Sequence, residues 1–122
     1  KSILEWHPTA DHLNMMGIVH GGVLTTLLDS AMGIAVISQL EPPNISTSIE
    51  FKVNFIQPIK QGDFLTAIGS VITQGTRICV VEANIYKNLP SPIPSSIDPA
   101  NLAVKALGTF MIINSIPFNH NP

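Results

Sequence analysis

Asp29 is the only charged side chain between Asp11 and Glu41, and it stands in the most apolar stretch of the chain. A carboxylate buried there without a partner costs several kcal/mol or is driven towards its neutral form. The ordinary account is an acid on a solvated helix face or one paired to a structural partner. The chemical account is a general base or a nucleophile. Eight residues earlier stands His20-Gly21-Gly22, immediately ahead of the apolar run. Glycines at a helix start let backbone approach a ligand closely, and the first free N–H groups point outward, where they can hold a developing oxyanion. Taken alone, Gly21-Gly22 is a tight turn and His20 an ordinary polar residue. Together with Asn14, they place donors, a helix N-terminus and an acid about two turns inside one helix.

Other routes to chemistry have less support. Cys79 alternates with Val81 and Ala83 and has no histidine nearby in sequence, which suits a buried thiol. His7 and His12 are five apart with no paired cysteines, so no metal is expected. A Gly-x-Ser-x-Gly elbow, a phosphate loop and a dinucleotide fingerprint are all absent, and no cofactor is expected. Six scattered basic residues and a net charge of −2 argue against nucleic acid. No apolar run approaches the roughly 18 residues of a membrane span. A single cysteine permits no intrachain disulfide, and nothing marks secretion, so a reducing, cytoplasmic setting is expected.

These residues need elements to hold them. Val23 to Leu40 is apolar nearly all round, the pattern of a buried helix, with Thr26, Asp29, Ser30 and Gly33 as a narrow small-and-polar stripe. Pro42 and Pro43 end it. Ser46–Gln57 alternates, with Ile49, Phe51, Val53 and Phe55 on one face and Ser48, Glu50, Lys52 and Asn54 on the other. Phe64–Thr73, Arg77–Lys87 and Leu102–Asn114 read as further strands, and Ser2–Trp6 as a short first one. The Pro/Ser-rich segment 88–101 suits neither helix nor central strand and reads as a long loop inside a single domain spanning 1–122. The expected class is α+β: one long helix wrapped by a curved antiparallel sheet. Charged residues make up only 11% of the 122, where about 25% is usual. Such a surface suggests cover by a second copy, joined through sheet edges.

The chain resembles the hotdog-fold acyl-CoA thioesterases, in the PaaI-like branch of the 4-hydroxybenzoyl-CoA thioesterase superfamily. The matching residues are His12-Leu-Asn14-Met-Met-Gly17-Ile-Val-His20-Gly21-Gly22, Val23 to Ala31 with Asp29, Ser48 to Pro58, Gly62-Asp63, Gly75-Thr76-Arg77 and Ala106 to Phe110. The resemblance implies a homodimer with its sheets joined edge to edge, often paired again into a homotetramer, and acyl-CoA as substrate. It implies active sites at the dimer interface, where the His-Gly-Gly turn of one chain faces the acid of the other. In that scheme the Gly21 N–H polarises the thioester carbonyl, with Gly22 beside it. Asn14 and His20 position thioester or water, and Asp29 of the other chain acts as general base or nucleophile. Ser48 would assist the water, with Ser46 and Thr47 as alternatives. Thr73, Gln74, Gly75, Thr76 and Arg77 would bind CoA, and Phe55 would line the ligand site or belong to the core. The family joins its last two strands by a short turn, which the Pro-rich segment here replaces.

Overall fold

The computed structural model describes residues 1–114; the last stretch of the expected single domain, 115–122, lies outside the described residues. Strand β1 (Ser2–Trp6) leads through a 3-10 turn at Ala10–His12 into helix α1 (Gly21–Ile37). Strands β2 (Ile45–Phe55), β3 (Leu65–Gln74), β4 (Ile78–Lys87) and β5 (Leu102–Ile113) follow. They form one antiparallel sheet in the order β1-β3-β4-β5-β2. The expected α+β hotdog architecture is what is found, with α1 packed against all five strands.

Helix boundaries differ from the periodicity. The helix starts at Gly21 because the His20 carbonyl accepts from the Val23 and Leu24 N–H groups, at 3.1 and 3.3 Å. It ends at Ile37 instead of Leu40. Gln39 and Leu40 bond three residues back, and the Ser38 hydroxyl donates to Ala35 O at 2.7 Å, closing the last turn locally.

The core forms where the inner sheet face meets α1. Leu24, Leu28, Ala31, Met32, Ala35 and Val36 bury against Leu65, Ala67, Val81, Ala83, Ile85, Val104, Ala106 and Phe110. Gly69 lets the helix come close, since a Cβ there would collide with the Ala31 carbonyl. That carbonyl accepts a hydrogen bond from the Ser2 hydroxyl at 2.5 Å, tying α1 to β1. Cys79 is buried in this layer, as its alternation with Val81 suggested, and burial pushes its thiol pKa up.

The segment after β4 is a loop, as the prolines require. Asn101 Nδ2 donates to Lys87 O across its base, and Asp98 caps the short turn Pro99–Asn101 through Ala100 N–H. The loop folds over the outer sheet face, where Leu89, Pro90 and Ile93 with Glu5, Phe64 and the buried Thr66 line a cavity of about 330 Å³.

Strand β2 departs from simple alternation. Its register with β5 shifts between Ser48 and Glu50, leaving Ile49 in a bulge, 49% exposed. Ser46 stands opposite Ile112, Ser48 opposite Phe110, and Phe51 opposite Gly108. Directly opposed residues share a face, so Ser48 shares the helix-side face with Phe110 and Phe51. The expected split, with Ser48 on a polar face opposite Ile49 and Phe51, is therefore corrected. One bulged residue puts Ser46 and Ser48 on the helix-side face, Ser46 part-buried and Ser48 still exposed, and leaves Ile49 out of the core.

Candidate active site

A stapled loop precedes the helix. Asn14 Oδ1 accepts from the Met16 and Ile18 N–H groups at 2.9 and 3.2 Å, and Asn14 N–H donates to Ile18 O at 2.8 Å. Gly17 supplies the positive φ of 76° that lets the chain reverse, and its N–H donates to Asn14 O. Two further bonds seat the loop on the fold: Val19 N–H to Ile59 O, and His20 N–H to His12 O. His12 is itself held by the Thr9 N–H at its Nδ1 and lies edge-on to Trp6, with ring centroids 4.8 Å apart. The oxygen of Asn14 thus organises the loop, and its Nδ2 is the part of the side chain left for a ligand.

That frame delivers His20, Gly21 and Gly22 to the helix start. His20 is exposed, and its carbonyl caps the first turn. Among the described residues the Gly21 and Gly22 N–H groups find no acceptor, as the first donors of a helix do not. They carry the positive end of the helix dipole. The Phe55 ring packs against Gly21: a Cβ on residue 21 would lie 3.1 Å from Phe55 Cζ. Phe55 is 55% exposed, so it walls the site and does not belong to the core. Ile18, Val19, Leu24, Phe55, Pro58 and Ile59 surround a cleft of about 390 Å³ that reaches Gly21. Ile18 and the segment 56–59 were not singled out from sequence, although the Gln57-Pro58 step ending the strand was visible.

Asp29 is half-buried and makes no hydrogen bond or ion pair among the described residues. It shares a helix stripe with Gly22 and Gly33. A Cβ on Gly33 would meet Phe110 Cε2 at 3.7 Å, and Phe110 stands opposite Ser48. Asp29 and Ser48 therefore both belong to the side of the molecule at the β2 edge. β2 pairs only with β5, so its other edge is open among the described residues.

Two distances decide what one protomer can do. Asp29 is eight residues beyond Gly21, about 12 Å along the helix axis. That is too far for its carboxylate to act on a carbonyl held by the Gly21 N–H. The turn Thr73–Arg77 is farther still. Gly75 N–H donates to Ile78 O, and Arg77 O accepts from Ile112 N–H, so the turn lies by the Ile45–Ile113 pair. Gly21 lies by Phe55, at the other end of β2, about 33 Å away along the strand. Thr76 and Arg77, with Asn44 and Asn114, line a separate cleft of about 540 Å³. Within one chain the structure joins Asn14, His20, Gly21, Gly22 and Phe55, and separates them from Asp29, Ser48 and the 73–77 turn.

Comparison with known proteins gives the family and the fold. Residues 16–89, more than half of the chain, match the thioesterase superfamily. The chain belongs to that family. A protein of Saccharolobus solfataricus whose name proposes an esterase is 34% identical over 96 residues, covering 79% of this chain and 56% of that protein. Human acyl-coenzyme A thioesterase 13 is 24% identical over 86 residues, covering 70% and 60%. Among solved structures, a Bacillus halodurans protein crystallised with CoA superposes with a TM-score of 0.77 at 27% identity, covering 93% of this chain and 68% of that one. The Escherichia coli PaaI protein gives 0.77 at 24% identity, covering 93% and 72%, a likeness of fold. The chain spans 56%, 62% and 65% of the lengths of three curated relatives that it matches. No helix among the described residues is long and apolar enough to cross a membrane.

Proposed function

We propose that this chain is an acyl-CoA thioesterase domain that works as a homodimer, hydrolysing the thioester to a free acid and CoA. The observation that carries the reading is the eight-residue separation of Gly21 and Asp29 on one rigid helix, with both on view at an open sheet edge. If two β2 edges pair antiparallel, the two helices run antiparallel side by side. A two-fold axis level with Thr25 then sets each Gly21 against the partner's Asp29, completing two sites at once. The same antiparallel pairing puts the partner's 73–77 turn, rather than the chain's own, on the Phe55 side of the molecule.

In that arrangement the Gly21 and Gly22 N–H groups hold the thioester oxygen as it gains charge. Asn14 Nδ2 and His20 orient the thioester. Asp29 takes a proton from water as the water oxygen attacks the carbonyl carbon, the C–S bond breaks, and the CoA thiolate takes up the proton. Ser48, exposed on the helix-side face because of the bulge, can hold that water. Direct attack by the carboxylate, giving a mixed anhydride that water then opens, needs the same placement. Label found in Asp29 after a single turnover in labelled water marks direct attack, with the anhydride opened at the Asp29 carbonyl. Support comes from family membership, from the CoA held by the Bacillus halodurans relative, and from the name of the human relative.

The test is thiol release from a panel of acyl-CoAs by wild type and Asp29→Asn, with sedimentation to read the assembly. Hydrolysis by a dimer, or by a pair of dimers, that is lost in the folded variant is expected. Tight acyl-CoA binding without hydrolysis would make the chain a binding module instead. An active monomer would remove the shared site.

A further inference from the structure

The cleft beside Gly21 has few polar groups left to offer. Ile18 N–H is bonded to Asn14 Oδ1, and Val19 N–H to Ile59 O. The Ile56 and Gln57 N–H groups both donate to Ala103 O, and the Gln57 side-chain nitrogen donates to Ala100 O and Leu102 O, each at 2.7 Å. No Asp, Glu, Lys, Arg or His lines the cleft. The Gly21 N–H at the mouth has no acceptor among the described residues. Phe55 and Ile56 stand at this mouth 55% and 52% exposed, an apolar rim beside that donor. A second apolar groove, between Trp6 and the Val23–Leu27 side of α1, does not reach Gly21.

Resting on the thioesterase reading, we propose that this cleft selects the acyl group: a short to medium hydrocarbon chain, without a second carboxylate or a hydroxyl. Its volume of about 390 Å³ is at the low end for small-ligand sites, which favours short to medium chains. Each methylene that leaves water for these walls gains affinity by about fourfold until the cleft is full. A terminal carboxylate would lose its water and meet no cationic side chain in the cleft's own lining, a far larger penalty than a missing methylene. A hydroxyl is excluded more weakly, because an apolar pocket discriminates against it by only about a hundredfold at most. The thioester carbonyl is the one polar group of such an acyl chain, and it meets the Gly21 donor at the mouth.

Two series test this on the intact chain. The first is hydrolysis of acetyl-, butyryl-, hexanoyl- and octanoyl-CoA beside succinyl- and 3-hydroxybutyryl-CoA. The second is binding of S-alkyl-CoA thioethers of matching length, which cannot be hydrolysed. The expected result is a stepwise rise with chain length in both series and then a plateau, with succinyl-CoA at least about a hundredfold below butyryl-CoA. Ile18→Trp should move the plateau to shorter chains; if it fails to fold, Ile56→Trp at an exposed rim position serves instead. A flat length dependence, succinyl-CoA equal to butyryl-CoA, or a plateau unmoved by the rim substitution overturns the assignment while leaving hydrolysis intact. If nothing is hydrolysed, the catalytic reading fails, and the thioether series alone decides the cleft: a rise with length supports it, and a flat series overturns it.

Discussion

The Phe55 ring lies against the backbone of Gly21, so that a Cβ at residue 21 would stand 3.1 Å from Cζ and 3.4 Å from Cε1. The last residue of the edge strand therefore sets how closely anything can approach the first N–H of the helix. Gly21→Ala should leave the fold standing, because alanine favours helix over glycine by up to about 1 kcal/mol and the ring can give way. The displaced ring then crowds the cleft. The expected outcome is a thermal midpoint near wild type with kcat/KM for acyl-CoA at least about tenfold lower. Adding Phe55→Leu should recover part of the loss, and the two-residue cycle measures the coupling.

Loss of Asp29 should be felt across the interface. Asp29→Asn is expected to lower thiol release by about 10²–10⁴-fold, the range of general-base removal, with little change in folding stability. Gly21→Val should be equally inactive by blocking the donor. Subunits of the two dead variants, unfolded together and refolded, should regain about a quarter of wild-type activity, since half the dimers are mixed and each holds one intact site. Absence of recovery from a mixture shown to contain mixed dimers would mean that each site lies within one chain.

Asn14 is open to a split between its two side-chain atoms. Asn14→Ala leaves the Met16 and Ile18 N–H groups without their acceptor, and the part-buried Ile18 group is the costly one. A loss of about 1 kcal/mol is expected. Asn14→Asp keeps the accepting oxygen and should restore most of that stability, while removing the Nδ2 donor. If activity stays low with stability recovered, the amide acts on the ligand. If both return together, Asn14 serves only the loop.

Acid stability should depend on Asp63. Partial burial alone would raise its pKa, but the Lys60 N–H at 2.9 Å, Asn88 Nδ2 at 3.1 Å and the charges of Lys87 and Lys60 together hold it below the ordinary 3.8. A depressed carboxyl contributes stability that is fully present above the unfolded value and is lost as pH falls through the folded one. Asp63→Asn should therefore lower the urea midpoint at pH 7 and flatten its decline below about pH 4, where wild type loses the same contribution. Equal midpoints at pH 7 would show that the contacts around Asp63 add nothing.

Much of the architecture is legible in single residues, and the misses have local causes. The apolar face of α1 and the alternation of Cys79, Val81, Ala83 and Ile85 are set by burial, which writes itself into periodicity. The facing of Ser48 is not, because a bulge at Ile49 is decided by how β2 meets β5 and α1, and one residue reverses everything before it. Asn14 could be singled out by type, and Gly17 three residues on hinted at a turn. The oxygen's role in that turn appears only once the Met16 and Ile18 N–H groups are in place. The candidate site was legible as a set of residues and not as a place. Gly21 and Asp29 are close in sequence and apart in space, for the plain reason that a helix is rigid.

Among the described residues the two unpaired edges of the sheet are unequal: β1 offers five residues and β2 eleven. A sheet with matched edges can add copies head to tail without end, as fibres do. Here a β1-to-β2 joint would leave more than half of β2 unmatched, whereas two β2 edges match each other in length. In the proposed dimer that pairing would take both long edges and leave only the two five-residue β1 edges outward. The difference in length between two strands would then act as a brake on lateral growth, since every further joint has only a short edge to use.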